Sequence, residues 1–194
     1  RLAALPQGAA RRTLALRIKL KASRLAGHTH SALDTARLLG KHHAFSSAAA
    51  QSIVRGLAAE LIQGAHDTAQ LQQVWMGLEP VERAMPELAI EAAQRLAELG
   101  GDDAQVRAWL LPAWERMVEL PQALPAAQAL KLVYALEAGL ASLDATWLAR
   151  IEAAQRGNPR DPRLSYLAGM ACLKRQLWGK AQQMLTQAAQ QLAD

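Results

Sequence analysis

Residues 157–192 read GNPRDPRLSYLAGMACLKRQLWGKAQQMLTQAAQQL. The stretch begins with a helix-breaking Gly-Asn-Pro and continues with Asp161-Pro162, a helix N-cap followed by a first-turn proline. Helical patterns then cover residues 162–175 and 178–192. The apolar residues of the second pattern recur every three or four positions, which places them on one helix face. They are Ala181, Leu185, Ala188 and Leu192. The stretch therefore predicts two helices joined as an antiparallel hairpin.

Small residues in this hairpin have the spacing of a tetratricopeptide (TPR) repeat. Such repeats are about 34 residues long, and small residues let their two helices approach closely. The matching positions are Gly169, Ala181 and Ala188. The positions 34 residues earlier hold Ala135 and Ala154, but Trp147 stands where a small residue is expected. The final repeat is thus the clearest, and the earlier repeats are degenerate.

Helix start and stop signals recur along the rest of the chain. Serine, aspartate or proline stands at the starts, and glycine follows many of the ends. The other predicted helices cover residues 11–25, 31–39, 46–63, 67–76, 86–99, 125–141 and 144–156, with one more that begins at residue 102 and is kinked at Pro112. Ten helices make five hairpins. We therefore predict an all-α fold in which residues 1–194 form one TPR-like α-solenoid with an exposed inner wall.

Composition supports a helical scaffold and offers no catalytic site. The chain is 51% hydrophobic but only 4% aromatic, so alanine and leucine must supply most of the packing. Its five tryptophans are expected to pack between hairpins. The lone Cys172 is expected to pack as a small apolar residue. No phosphate-binding loop, nucleophile motif or carboxylate pair stands out. We predict that the chain is not an enzyme and has neither catalytic residues nor a metal site.

Basic residues are concentrated near the beginning of the chain. Residues 1–60 contain ten basic and two acidic residues, whereas the remainder has 12 basic and 15 acidic ones. Arg17, Lys21 and Arg24 step by four and three, so they form one stripe on the first predicted helix. This stripe could bind an acidic peptide, anionic lipid headgroups or phosphates, or it could simply be a solvated face. Nucleic acid is disfavoured because no aromatic residues are interleaved for base stacking.

An apolar stripe runs beside the basic one on the same predicted helix. It consists of Leu14, Ile18 and Leu25, which again follow helical spacing. A helix with adjacent basic and apolar stripes has the features of a binding surface.

Four of the five histidines lie close together in the sequence. His28 and His30 precede the second predicted helix, and His42 and His43 follow it. That helix separates the two pairs by about 15 Å, so one site using both is not expected. Helix-end residues that interact with the helix dipole are one interpretation. Haem ligation by His42 or His43 is the alternative.

Four segments of the chain are distinctive: ALDTARLLGKHHAF at residues 32–45, DPRL at 161–164, LWGKA at 177–181, and Arg83 with Pro86-Glu87-Leu88. They resemble segments of the HemY family of proteobacteria. The chain as a whole is similar to the C-terminal TPR region of that family. The resemblance implies two N-terminal membrane helices, anchorage at the bacterial inner membrane, and a soluble region that faces the cytoplasm. Since the sequence begins at Arg1, we expect it to be a fragment without that anchor.

The resemblance also implies a role in haem metabolism. Members of the family have no defined catalytic activity, so no catalytic residues carry over. We therefore predict a non-catalytic scaffold that binds protein partners, haem-pathway enzymes among them. The alternative is a haem or porphyrin carrier that binds the tetrapyrrole directly through His42 or His43.

Overall fold

The computed structural model describes residues 7–193, which form eleven α-helices and no β-strand. In chain order these are α1 (Gln7–Leu25), α2 (Thr29–Lys41), α3 (Ser47–Gln63), α4 (Thr68–Gly77), α5 (Pro80–Arg83), α6 (Pro86–Glu98), α7 (Asp103–Glu119), α8 (Ala126–Ala138), α9 (Ala145–Gly157), α10 (Pro162–Lys174) and α11 (Trp178–Ala193). The all-α prediction is confirmed. Ten helices correspond to the predicted ten, and α7 runs through Pro112 as a single helix.

Short polar side chains start five of these helices. Each accepts a hydrogen bond of 2.7–3.3 Å from a backbone N–H two or three residues further on, which satisfies one of the free amides of the first turn. The capping residues are Ser46, Asp67, Asp102, Asp144 and Asp161. Gly27 and Gly100 follow α1 and α6 with φ of 70° and 74°, a backbone conformation that favours glycine.

The helices pack mainly on elements that are near in the chain. Helix α1 packs on α2, α3 on α4, α6 on α7, and α10 on α11, whereas α8 and α9 make little direct contact and are both covered by α10. Four of the five predicted hairpins thus have directly packed helices, and the one formed by α8 and α9 does not. The first helix of each later pair also packs on the preceding pair: α3 on α2, α6 on α3 and α4, α8 on α6 and α7, and α10 on α8 and α9. Among the described residues, no extensive helix pairing links α1 or α2 to any helix from α6 onward.

Glycines are required where some of these helices cross. A Cβ at Gly169 of α10 would lie 2.6 Å from Cγ of Leu185 on α11, which is closer than real side chains approach. At Gly139, just after α8, a Cβ would lie 3.0 Å from Cγ1 of Val106 on α7. The role expected for Gly169 therefore agrees with the packing.

Tryptophan pairs connect the second helices of successive pairs. Trp75 on α4 stacks on Trp109 of α7, with ring centroids 4.7 Å apart and an interplanar angle of 24°. Trp114 on α7 lies 6.2 Å from Trp147 of α9 in a tilted arrangement. These four indoles are buried, as expected. The same expectation is wrong for Trp178, which is 63% exposed at the first residue of α11, where no described helix covers it.

Helix α5 was not predicted from the sequence. It is a single turn whose buried Glu82 accepts hydrogen bonds from the Arg37 side chain at 2.9 and 2.6 Å and from the backbone N–H of Glu79 at 2.8 Å. The Arg37 guanidinium also donates to the carbonyl of Gly77. A one-turn helix has no apolar periodicity to reveal it, and here it is stabilised by a charged residue from α2.

Candidate functional site

Helix α1 packs on α2 through one narrow face. Leu20 and Ser23 are buried, and Leu16 is half-buried against the core. The Ser23 hydroxyl lies 3.3 Å from that of Ser31, at hydrogen-bond distance. Most other described side chains of α1 are exposed, so a broad surface of this helix faces solvent.

Large aliphatic side chains occupy the side of α1 opposite the packed face. Leu14, Ile18 and Leu25 are 60%, 61% and 81% exposed. On an ideal helix of 100° per residue, their positions are centred roughly 160–180° away from Leu16, Leu20 and Ser23. We call these three residues the α1 apolar stripe.

The predicted basic residues divide into two kinds. The Arg17 guanidinium donates a 2.6 Å hydrogen bond to the carbonyl of Ala44 and lies 5.2 Å from the centroid of the Phe45 ring, in a cation–π arrangement. Arg17 therefore holds the turn after α2 against α1. Lys21 and Arg24 are exposed, and no carboxylate of the described residues lies within 4 Å of either cation.

These three basic residues line one groove. Its volume is about 460 Å³, and its other lining residues are Leu20, Leu25 and Phe45. The groove lies between α1 and the turn that follows α2. The structure thus brings the predicted basic stripe together with an aromatic ring that lies 28 positions further on than Arg17. A groove with apolar walls and cationic edges suits a ligand that carries both apolar groups and negative charge.

His42 and His43 lie in that same turn. Both side chains are exposed, and His43 has a φ of +51°. Its backbone N–H bonds the carbonyl of Gly40, and the N–H of Ala44 bonds that of Leu39, a pattern that ends a helix with a left-handed residue. His28 and His30 lie at the opposite end of the 13-residue α2, about 18 Å away along the helix axis. The two histidine pairs are therefore separate, as predicted.

Sequence reasoning missed a second surface, formed along the first helices α3, α6, α8 and α10. Arg55 lies 3.5 Å from Glu87, which also accepts a 2.9 Å hydrogen bond from Gln128. The Tyr166 hydroxyl donates a 2.9 Å hydrogen bond to Glu137. Burial and this hydrogen bond raise the pKa of Tyr166, so its hydroxyl stays a donor at neutral pH. We call this set the first-helix face; no simple motif in the sequence marks it.

A further groove of about 410 Å³ lies among α7, α9 and the start of α10. Trp114, Met117 and Leu164 supply apolar walls, and Asp161 and Arg163 form a 2.7 Å ion pair at its edge. Burial opposes the charged form of Asp161, but hydrogen bonds and charge from Arg163 outweigh it and lower the pKa of Asp161. The pair thus remains charged at neutral pH.

Cys172 is buried on α10. Burial raises the pKa of its thiol, and the nearby carboxylate of Glu152 adds to the effect. The neutral thiol is a poor nucleophile, so Cys172 has the character of a packing residue.

Between residues 7 and 193, no cluster of three or more His, Cys, Asp or Glu residues has the arrangement of a metal site. None of the helices described there combines the length and apolar character needed to cross a bilayer.

Comparisons with other proteins do not assign the chain to a family. No protein-family model, no curated protein and no solved structure matches it.

Proposed function

We propose that the chain is a non-catalytic scaffold whose helix pairs form a TPR-like α-solenoid and bind segments of partner proteins. The supporting observation is the order of the contacts: in the described residues, each pair packs on the next pair along the chain. Such an array leaves two long faces open, because no closed core is formed around a centre. The first-helix face corresponds to the inner wall of the proposed solenoid.

The resemblance to the HemY family extends this proposal to the partner. Haem-pathway enzymes at the cytoplasmic side of the bacterial inner membrane are the proposed partners. Helix α8, which contributes Gln128 and Glu137 to the first-helix face, also exposes Leu130, Lys131 and Tyr134. A surface that combines charged, aliphatic and aromatic side chains suits a protein partner. Tyrosine and arginine side chains are common anchors of protein interfaces.

Affinity capture of purified haem-pathway enzymes tests the proposal. We expect the native chain to retain at least one enzyme and a variant carrying Lys131→Glu and Tyr134→Ala on α8 to lose it. A matched variant carrying Gln183→Glu and Gln190→Glu on the exposed side of α11 should bind like the native chain. Equal retention by all three proteins, or turnover of a porphyrin substrate by the chain alone, would overturn the proposal.

A tetrapyrrole carrier is the second candidate. It is supported by the groove beside Phe45, which offers apolar walls and three cations, with His42 and His43 only two or three residues away in the chain. The cations would pair with propionate groups, and one imidazole would ligate the iron.

A Soret titration with haemin separates the two candidates. Carriage predicts a saturable spectral shift that is lost in either His42→Ala or His43→Ala. The variants His28→Ala and His30→Ala, at the other end of α2, serve as controls and should keep the shift. A shift that is absent, or that survives both turn variants, removes the carrier function.

A further inference from the structure

The outer face of α1 lacks a neighbour that the other first helices have. Helices α3, α6, α8 and α10 each pack on the second helix of the preceding pair. In the described residues no helix takes that position against α1, and the α1 apolar stripe is exposed. The α1 apolar stripe is therefore not covered by any helix of the described residues.

The charge of α1 specifies what such a helix must carry. Within Gln7–Leu25 there are six basic residues and no acidic one. Lys21 and Arg24 flank the stripe on the side of the Phe45 groove, and Arg11 lies on its other side at helical spacing. The carboxylates on nearby elements are engaged: Asp34 pairs with Arg37, and Glu79 with Lys41. The surface is therefore cationic around an apolar centre.

We propose that this face of α1 binds an acidic amphipathic helix of a partner protein. Leucine-type side chains of that helix would cover the α1 apolar stripe, and flanking glutamates would pair with Lys21 and Arg24. Leu25 lies eleven positions after Leu14, which corresponds to about 16 Å, or three turns of a bound helix. The inference rests on the proposed scaffold function and names the partner chemistry of a second binding face.

The residue types of the surface favour a helix over a lipid bilayer. Lys21 and Arg24 line the groove between α1 and the turn at residues 42–45, and of the α1 apolar stripe only Leu25 reaches into it. The one phenylalanine of the site, Phe45, is covered by Arg17 and does not project from the surface. The α1 apolar stripe itself contains no aromatic residue, the residue type that commonly anchors helices at membrane interfaces.

Fluorescence anisotropy with designed peptides tests the proposal on the whole chain. The probe is a labelled, end-capped peptide of about four turns with leucines on one helix face and glutamates beside them. Two matched peptides carry lysine in place of glutamate, or the same composition in scrambled order. We expect saturable binding of the acidic peptide and at least about tenfold weaker binding of the other two.

Protein variants locate the binding face. Lys21→Glu combined with Arg24→Glu should weaken the acidic peptide about tenfold or more and strengthen the lysine peptide, while Ile18→Asp should weaken both. The control is Leu192→Asp on α11 with Lys174→Glu on α10, an exposed apolar and an exposed basic residue that belong to neither proposed binding face, and it should leave peptide binding unchanged. Since all these side chains are exposed, circular dichroism should show unchanged helix content.

Four results would overturn the inference. The first two are the absence of saturable binding of the acidic peptide and equal binding of the scrambled peptide. The third is binding to anionic phosphatidylserine vesicles that the Lys21→Glu and Arg24→Glu changes abolish. The fourth is self-association of the chain that the same changes abolish. The vesicle result would assign the face to a membrane, and self-association would assign it to a second copy. If the peptide fails while enzyme capture still depends on Lys131 and Tyr134, the scaffold function stands and only the α1 inference is lost.

Discussion

The first and last described helices, α1 and α11, differ in what they present to solvent. The outer side of α11 carries glutamine, threonine and glycine, with Gln182, Thr186 and Gln190 among them. Its large exposed apolar residues, Trp178 and Leu192, lie at opposite ends of the helix and form no stripe. Helix α1 presents the α1 apolar stripe instead. The outer side of α11 is therefore polar, whereas α1 exposes the aliphatic side chains on which the proposed binding of an acidic helix depends.

Helices α10 and α11 approach each other closely at Gly169, and no glycine marks such an approach between α1 and α2. Of the changes considered, Gly169→Val should therefore reduce the free energy of unfolding the most. The added side chain cannot fit against Leu185, so we expect a loss of about 2 kcal/mol in the free energy of unfolding and faster hydrogen exchange in α11. Urea denaturation measures the loss. Gly56→Val on α3, where a Cβ would have no neighbour within 4 Å, is the matched control and should be nearly neutral. Equal losses would mean that the α10–α11 crossing is not tightly packed.

The N-caps of α2 and α10 also differ: the side chain of Asp161 caps α10, whereas that of His28 makes no capping hydrogen bond to α2. Asp161→Ala should cost about 1 kcal/mol at pH 7, because both the N-cap and the pair with Arg163 are lost. The folded protein lowers the pKa of Asp161, so its carboxylate stabilises the fold above the pKa of the unfolded chain, about 3.9. That contribution is lost as pH falls through the lower folded pKa.

Denaturation midpoints between pH 7 and pH 2 check this prediction. The difference in denaturation midpoint between the native chain and Asp161→Ala should become smaller below about pH 4. Asp161→Asn keeps a capping side chain and should restore part of the stability at neutral pH. A gap that stays constant with pH would show that the charge of Asp161 contributes nothing.

A new N-cap on α2 should increase the stability of the fold. His28 stands at the N-cap of α2 but makes no capping hydrogen bond through its side chain. His28→Asp should therefore stabilise the fold by about 0.5 kcal/mol through a new cap and the helix dipole. Thermal unfolding detects the gain, and His42→Asp at the C-terminal end of α2 should change stability in the opposite direction. Equal shifts from both changes would contradict the explanation.

The smallest change in stability is expected on the outer face of α1. Leu14→Gln with Ile18→Gln should alter the free energy of unfolding by less than about 0.5 kcal/mol, because these side chains are exposed. The same double variant should lose the acidic peptide. A stability loss of more than about 1 kcal/mol would instead show that the stripe belongs to the core.

The sequence predicted those parts of the fold that local chemistry determines. Aspartate and serine caps and the glycines after α1 and α6 gave ten helices, and Gly169 marked a close crossing. Helix α5 was not predicted because its Glu82 is stabilised by Arg37, which lies 45 positions earlier in the chain. Trp75 and Trp109 stack at a spacing of 34 residues, the length of the tested repeat, so the spacing of tryptophans could have revealed this contact.

The candidate site could be predicted only in part, because some of its contacts join residues that are far apart in the chain. Helical spacing placed Arg17, Lys21 and Arg24 on one stripe, and the structure keeps them in one groove. Spacing alone could not show that Arg17 is held by Ala44 and Phe45, since that contact depends on where the turn after α2 folds back. The first-helix face was missed because its members come from four different helices.

The stacked indoles of Trp75 and Trp109 also give the molecule an optical signature. Two rings held a few ångströms apart couple their electronic transitions, which should produce a paired positive and negative band in the aromatic circular dichroism spectrum. One ring belongs to α4 and the other to α7, so the band would report whether two successive helix pairs are docked. Separation of those pairs under load or in denaturant could be followed without any added label.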